Sequence, residues 1–121
     1  MIIDYKMTIN ELIQQIENGK KHFYRIDVEE GSLNGYNLMG ITFEECILTI
    51  DFSNSNLQNA KFINSNIKTC TFCNADLTNA LIEGCSVENI DIKGAKLDGL
   101  IFNNNFCYGA VLNQSDLGVL L

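Results

Sequence analysis

The chain contains no proline, no tryptophan and one histidine, His22, and it carries only 8 Lys and Arg against 15 Asp and Glu. Without proline, no position is barred from donating its backbone N–H to a hydrogen-bonded ladder. A formal net charge of −7 leaves too few cations to grip a phosphate backbone, which argues against direct nucleic-acid binding. No apolar run approaches the length of a membrane span, so no membrane association is expected. The opening MIIDYKMTIN lacks a basic region followed by an apolar one, so no secretory leader is read there. The five cysteines are an odd number with no sign of export, and reduced thiols in a cytoplasm are the expectation. What is present is 46 % hydrophobic residues in 121, enough for the core of one small domain.

Those hydrophobic residues recur every five positions. Phe23, Val28, Leu33, Leu38, Phe43 and Leu48 form a first run. Phe52 follows one residue early, and Leu57, Phe62, Ile67, Phe72, Leu77, Ile82, Val87, Ile92, Leu97, Phe102, Cys107, Leu112 and Leu117 continue the series. A period of five matches neither helix nor strand, so the chain must turn a corner in every unit. Two residues before most centres stands a small or apolar residue, as at Cys46, Ala60, Cys70, Ala75, Ala80, Cys85 and Ala95. Two residues after it, Gly or Asn dominates, the types that tolerate positive φ at a tight turn.

The segments NADLTNALIEG, GAKLDGLIFNN and SNLQNAKF resemble the pentapeptide-repeat family, whose unit reads A-(D/N)-L-x-x. The resemblance covers about residues 21–119, in twenty near-continuous units. It implies an all-β fold, a right-handed quadrilateral β-helix with four units per turn. On that frame every fourth centre shares a wall. The first wall would stack Phe23, Phe43, Phe62, Ile82 and Phe102; the second Val28, Leu48, Ile67, Val87 and Cys107. The third would stack Leu33, Phe52, Phe72, Ile92 and Leu112; the fourth Leu38, Leu57, Leu77, Leu97 and Leu117. This sorting requires residues 46–49 to form a complete wall one residue short. About five coils at one strand spacing each make a rod of roughly 24 Å.

Two segments are expected, a lead and capping helix over residues 1–20 and the β-helix over 21–121. Thr8 with Glu11 three residues on is a capping box, Ile9, Leu12, Ile13 and Ile16 form an apolar stripe, and Asn18-Gly19 is a stop. A helix over Ile9–Glu17 is therefore predicted to cover the first coil, an arrangement that also resembles short bacterial members of the family. Residues 1–6 read as an added strand or a disordered lead. At the other end no helix is expected. Leu81, Ile101, Phe106, Tyr108 and Val111 turn outward near Val119, Leu120 and Leu121, and this apolar cluster beside an uncapped end points to a homodimer through the C-terminal coil. The plainer alternative is that the last residues fold over their own core.

A rod with a filled core offers no concave site, so no enzyme activity is assigned. His22 reads as a solvated or capping residue. No cofactor and no metal site are expected. Cys46, Cys70, Cys85 and Cys107 take inward positions, and the C-x-x-C pair Cys70/Cys73 splits between inside and outside, leaving Cys73 as the one reactive thiol. From residue 21 onward there are 12 acidic and 6 basic side chains, densest in acid at Glu29, Glu30, Glu44 and Glu45.

Three functions follow from these readings. The first is a non-enzymatic rod that presents flat walls to a protein partner. The second rests on the resemblance, since some members of the family are acidic, dimeric DNA mimics that occupy the DNA site of gyrase and related topoisomerases. This rod is short for that role, has no long inserted loop, and dilutes its acid with Lys61, Lys68, Lys93 and Lys96. The third is a purely structural assembly.

Overall fold

The computed structural model describes residues 5–120, and Leu121 lies outside them. Tyr5–Lys6 forms β1 and Ile9–Glu17 forms α1. Strands His22–Tyr24 (β2), Ile26–Ser32 (β3), Thr42–Glu44 (β4), Ile47–Asp51 (β5), Lys61–Ile63 (β6), Leu81–Glu83 (β7) and Ile101–Asn103 (β8) follow. Asn105–Cys107 (β9) and Ala110–Leu112 (β10) make a hairpin, and a 3-10 helix spans Gln114–Leu120.

The chain winds as a parallel solenoid of about five turns. Its first wall is a five-stranded sheet ordered β2-β4-β6-β7-β8, in which Phe23, Phe43, Phe62, Ile82 and Phe102 lie in register. The other walls are held by parallel bridges such as Asn56↔Asp76↔Lys96 and Asp51↔Thr71↔Asp91. Stacked rings of Phe23, Phe43 and Phe62 lie 5.6 Å apart, and Phe52 stacks on Phe72 at 5.2 Å. The two columns meet edge to face, with Phe52 5.5 Å from Phe62 and Phe62 5.6 Å from Phe72. Five phenylalanines thus interlock across the rod in the geometry aromatic rings favour.

The short wall falls where the spacing places it. β3 pairs with β5 as Val28↔Leu48 and then Gly31↔Ile50, so Glu29 and Glu30 together oppose Thr49. The extra residue is accommodated as a bulge in the first coil, and register is restored beyond it.

At the N-terminal end α1 runs over Ile9–Glu17 with its capping box formed: Glu11 N donates to Thr8 Oγ1 at 3.1 Å, and Thr8 N to Glu11 Oε1 at 2.9 Å. Leu12 is fully buried, and Ile9, Ile13 and Ile16 pack partly against the core. A Cβ on Gly31 would come within 2.4 Å of Ile9. The helix therefore rests on bare backbone. Tyr5–Lys6 adds a parallel strand beside β3.

The C-terminal end corrects the expectation of a continuing, uncapped coil. After Cys107 the chain reverses through Tyr108 (φ 50°) and Gly109 (φ 81°), and β10 pairs antiparallel with β9. Two successive positive-φ residues are the signature of a tight type I′ hairpin. Leu112 therefore pairs with Asn105 instead of stacking above Ile92, though it stays buried. Leu117 lies in the 3-10 helix and is only partly buried, as is Leu97, whose wall ends there for want of a coil above it. Cys107 is likewise half-exposed. Gln114 closes the end: its Oε1 accepts from Phe102 N at 2.8 Å and its Nε2 donates to Leu100 O at 2.9 Å. One side chain thus satisfies backbone groups that a further coil would have paired.

Candidate interaction surface

Each wall shows its outward side chains in axial columns. On three walls the outward Asn or Asp is committed to the fold. Asp51, Asn56, Asn66, Asp76 and Asp91 each accept, through Oδ1, the backbone N–H two residues on, at 2.8, 3.0, 3.1, 3.0 and 3.0 Å. Asn37 accepts from Met39 N in the same way at 3.2 Å. These bonds fix the turn that follows and explain why the repeat requires D or N at that position. The Thr78 hydroxyl and backbone N–H hold the Asp76 carboxyl below its ordinary range. The Lys93 N–H, followed by the Cys73 thiol, does the same for Asp91.

The first wall is built differently. On the other walls a corner is closed by an N–H···O bond across three residues, as from Ala60 N to Leu57 O and from Ala80 N to Leu77 O. After the first wall, side chains take over the carbonyls. Cys46 Sγ lies 3.4 Å from Phe23 O, Ser65 Oγ 3.3 Å from Phe43 O, Cys85 Sγ 3.2 Å from Phe62 O and Asn105 Nδ2 3.0 Å from Ile82 O. In return Ser65 Oγ and Asn105 Oδ1 accept from Cys46 N and Cys85 N. The small inward cysteines read from sequence as apolar filler are therefore also donors to corner carbonyls. The run Cys46, Ser65, Cys85, Asn105 on one column was the available signal for this corner.

Because the first wall is a true sheet, its outward side chains are released from turn duty. His22, Thr42, Lys61, Leu81 and Ile101 form one column and Tyr24, Glu44, Ile63, Glu83 and Asn103 the other. Toward β8 the first column becomes apolar, with Leu81 half-buried and Ile101 50 % exposed, while Glu83 and Asn103 keep the second column polar.

The predicted apolar cluster is spread over several faces. Leu81 and Ile101 lie on the first wall, while Phe106 and Val111 face each other on the second-wall hairpin. Tyr108 sits at the next corner, its hydroxyl accepting from Asn89 Nδ2 at 3.0 Å. Val119 is exposed on the 3-10 helix and Leu120 packs partly inward.

The predicted acidic patch is largely paired. Lys6 Nζ lies 2.5 Å from Glu29 Oε1, and Arg25 lies 2.6 Å from Glu45 Oε1 while its guanidinium stacks on Tyr24. His22 Nε2 lies 3.1 Å from Glu44 Oε1. Glu29 and Glu30 border a depression of about 350 Å³ with Lys6, Met7 and Ile9, away from Glu44 and Glu45. A second groove of about 570 Å³ is lined by Glu45, Ile47, Asn64, Ser65, Gly84 and Phe106 among others.

Among the described residues no group of three or more His, Cys, Asp or Glu side chains could hold a metal. Cys70 and Cys85 are buried, and burial pushes their thiols up to about 12 and about 11. Cys73 does point outward, and partial burial followed by Asp91 raises its thiol too. No described helix is long and apolar enough to cross a membrane.

The family model for pentapeptide repeats matches residues 50–89 in eight copies. No curated protein matches the chain. A solved structure of trypsin-treated QnrB1, a plasmid-mediated fluoroquinolone resistance protein, is similar with a TM-score of 0.59 at 20 % identity. That match covers 62 % of this chain and 40 % of that one, so this chain spans less than half of its length. Alr5209, a pentapeptide repeat protein from Nostoc PCC 7120, is similar over 88 % of this chain and 84 % of its own, with 21 % identity and a TM-score of 0.50.

Proposed function

As a pentapeptide-repeat protein in sequence and fold, this chain is, we propose, a non-enzymatic rod that binds a protein partner through the outer face of its first wall. One observation carries this reading. On the first wall the outward residues of a five-stranded sheet are free of turn bonds, and one of their two columns grades from His22, Thr42 and Lys61 to Leu81 and Ile101. A surface that is polar at one end and apolar at the other suits a partner with an apolar anchor and a polar rim. A photo-crosslinker at Leu81 should capture a partner that Ile101→Glu abolishes, while the same probe at Thr78 on the fourth wall captures none. Equal capture from both walls would remove the reading.

The second reading is an acidic DNA mimic that acts on gyrase. The net charge of −7 and the fold shared with a fluoroquinolone resistance protein favour it. Against it stand the pairing of Glu29 with Lys6 and of Glu45 with Arg25 and the use of Asp51, Asp76 and Asp91 in turns. Purified gyrase separates the two: the first reading expects supercoiling unchanged by excess protein, and inhibition or quinolone protection would establish the second.

A further inference from the structure

The groove of about 570 Å³ runs along the corner between the first and second walls. One side of it is the axial column Ile47, Asn66, Ser86 and Phe106, joined by parallel bridges on the second wall. The other side is the column of turn residues Glu45, Asn64 and Gly84, each at positive φ. Short side chains in the middle and large ones at the ends make the depression. Ile47 and Phe106 are 37 % and 45 % exposed, and only Asn66 and Ser86 stand between them. Beside these, Gly84 offers no side chain, and a Cβ there would collide with Asn64 Oδ1. The Asn64 amide thus lies against Gly84, and nothing larger than glycine fits the corner at that level. Asn66 gives its Oδ1 to Lys68 N, which leaves Nδ2 as a donor beside the Ser86 hydroxyl.

From Ile47 to Phe106 the column climbs three coil spacings, about 14 Å. Four residues of extended chain cover about the same distance, at roughly 3.4 Å each. Side chains four apart on a strand also face the same way. We propose that this groove binds an extended peptide segment of a partner protein, laid along the rod, whose apolar side chains at positions i and i+4 sit on Ile47 and Phe106. The side chain at i+2 faces Ser86 and Gly84 and has to be small. Asn64, Asn66 and Ser86 supply hydrogen bonds to the segment's backbone between the anchors. Charge selects the flanks. Glu44, Glu45, Glu83 and Glu88 lie in the lining or within two residues of it, against Lys68 and the Arg25 that pairs with Glu45. This excess of carboxylates, on a chain of net charge −7, favours Lys or Arg at the ends of the segment and disfavours acid. The groove is separate from the outer face of the first wall and takes its segment whatever binds there.

Fluorescence anisotropy with the labelled peptide KFTSTLK and the full chain tests it. The chain should bind this peptide saturably. It should bind it about tenfold more tightly than KFTSLTK, which has the same composition with its anchors on opposite faces. EFTSTLE, which reverses the flanking charge, should also bind more weakly. Ser86→Tyr fills the middle of the groove from a half-buried outward position and should abolish binding while thermal unfolding stays cooperative. Phe106→Ala removes one anchor and should weaken binding about fivefold. Equal affinity for KFTSTLK and KFTSLTK overturns the inference. So does saturable binding that survives Ser86→Tyr, or the lack of any saturable binding up to about 1 mM protein. The crosslinker at Leu81 and this titration read different surfaces, so either can fail without the other.

Discussion

At the scale of single residues, the recurring Asn or Asp is a turn clamp before it is a surface charge. Asp76 accepts from Thr78 N at 3.0 Å and from the Thr78 hydroxyl at 2.5 Å, and an asparagine oxygen can accept the same backbone bond, as Asn56 does one coil below. Asp76→Asn should therefore leave thermal stability nearly unchanged, whereas Asp76→Ala should cost about 1 kcal/mol by chemical denaturation. The folded carboxyls of Asp76 and Asp91 sit below their unfolded values, so their stabilisation is present above the ordinary carboxylate pKa. It is lost as pH falls through the depressed folded values, and Asp76→Asn should flatten the acid limb of stability against pH. The cysteines make a second case. Mass spectrometry after alkylation at mildly alkaline pH should find Cys70 and Cys85 unmodified in the folded protein, because their thiols stay protonated and enclosed. Cys73 and Cys107, both partly exposed, should label, and Cys73 more slowly than a free thiol because partial burial and then Asp91 oppose its thiolate. Cys107 was assigned to the core from its register, and only the hairpin exposes it.

Among elements, the sheet of the first wall and the two caps carry different weights. Phe62 contacts Phe43, Phe52 and Phe72 and has no solvent exposure. Phe62→Ala should cost about 3–5 kcal/mol in a denaturant titration, as truncation of a buried aromatic does. Gln58→Ala, on the outer face of the fourth wall, should cost less than about 0.5 kcal/mol in the same titration. At the C-terminal cap, Gln114→Ala leaves Phe102 N and Leu100 O without their partner, and a loss of roughly 2 kcal/mol is expected. The helix Ile9–Glu17 was legible because capping box, apolar stripe and Asn-Gly stop are local signals. The C-terminal cap was not, because Leu112 and Leu117 keep the five-residue spacing while the chain no longer follows it. Tyr108 at a positive-φ corner opens the reversal, and a tyrosine gives no warning of that conformation.

For the whole molecule, charge is distributed more than its sum implies. The net −7 comes with Glu29 and Glu45 paired to Lys6 and Arg25, several aspartates clamped into turns, and a charge-free stretch over residues 99–115. The rod consequently presents a first-wall sheet face whose outward side chains make no turn bonds, and an end without charged side chains over residues 99–115.

The four-walled winding was implied by the resemblance to the pentapeptide-repeat family; the sequence by itself determined the five-residue unit with its turn, the one-residue-short unit at 46–49 and the N-terminal helix. Each follows from spacing and turn chemistry within a few residues, which a linear pattern records. The tertiary structure decided which carbonyls need a side-chain donor, which acids are neutralised by a neighbour one coil away, and where winding stops. Those depend on contacts between residues about twenty apart, such as Cys46 with Phe23 or Glu45 with Arg25. The reversal after Cys107 depends on how the last coil meets solvent. No repeat encodes that, because the pattern is silent about what lies above its final member.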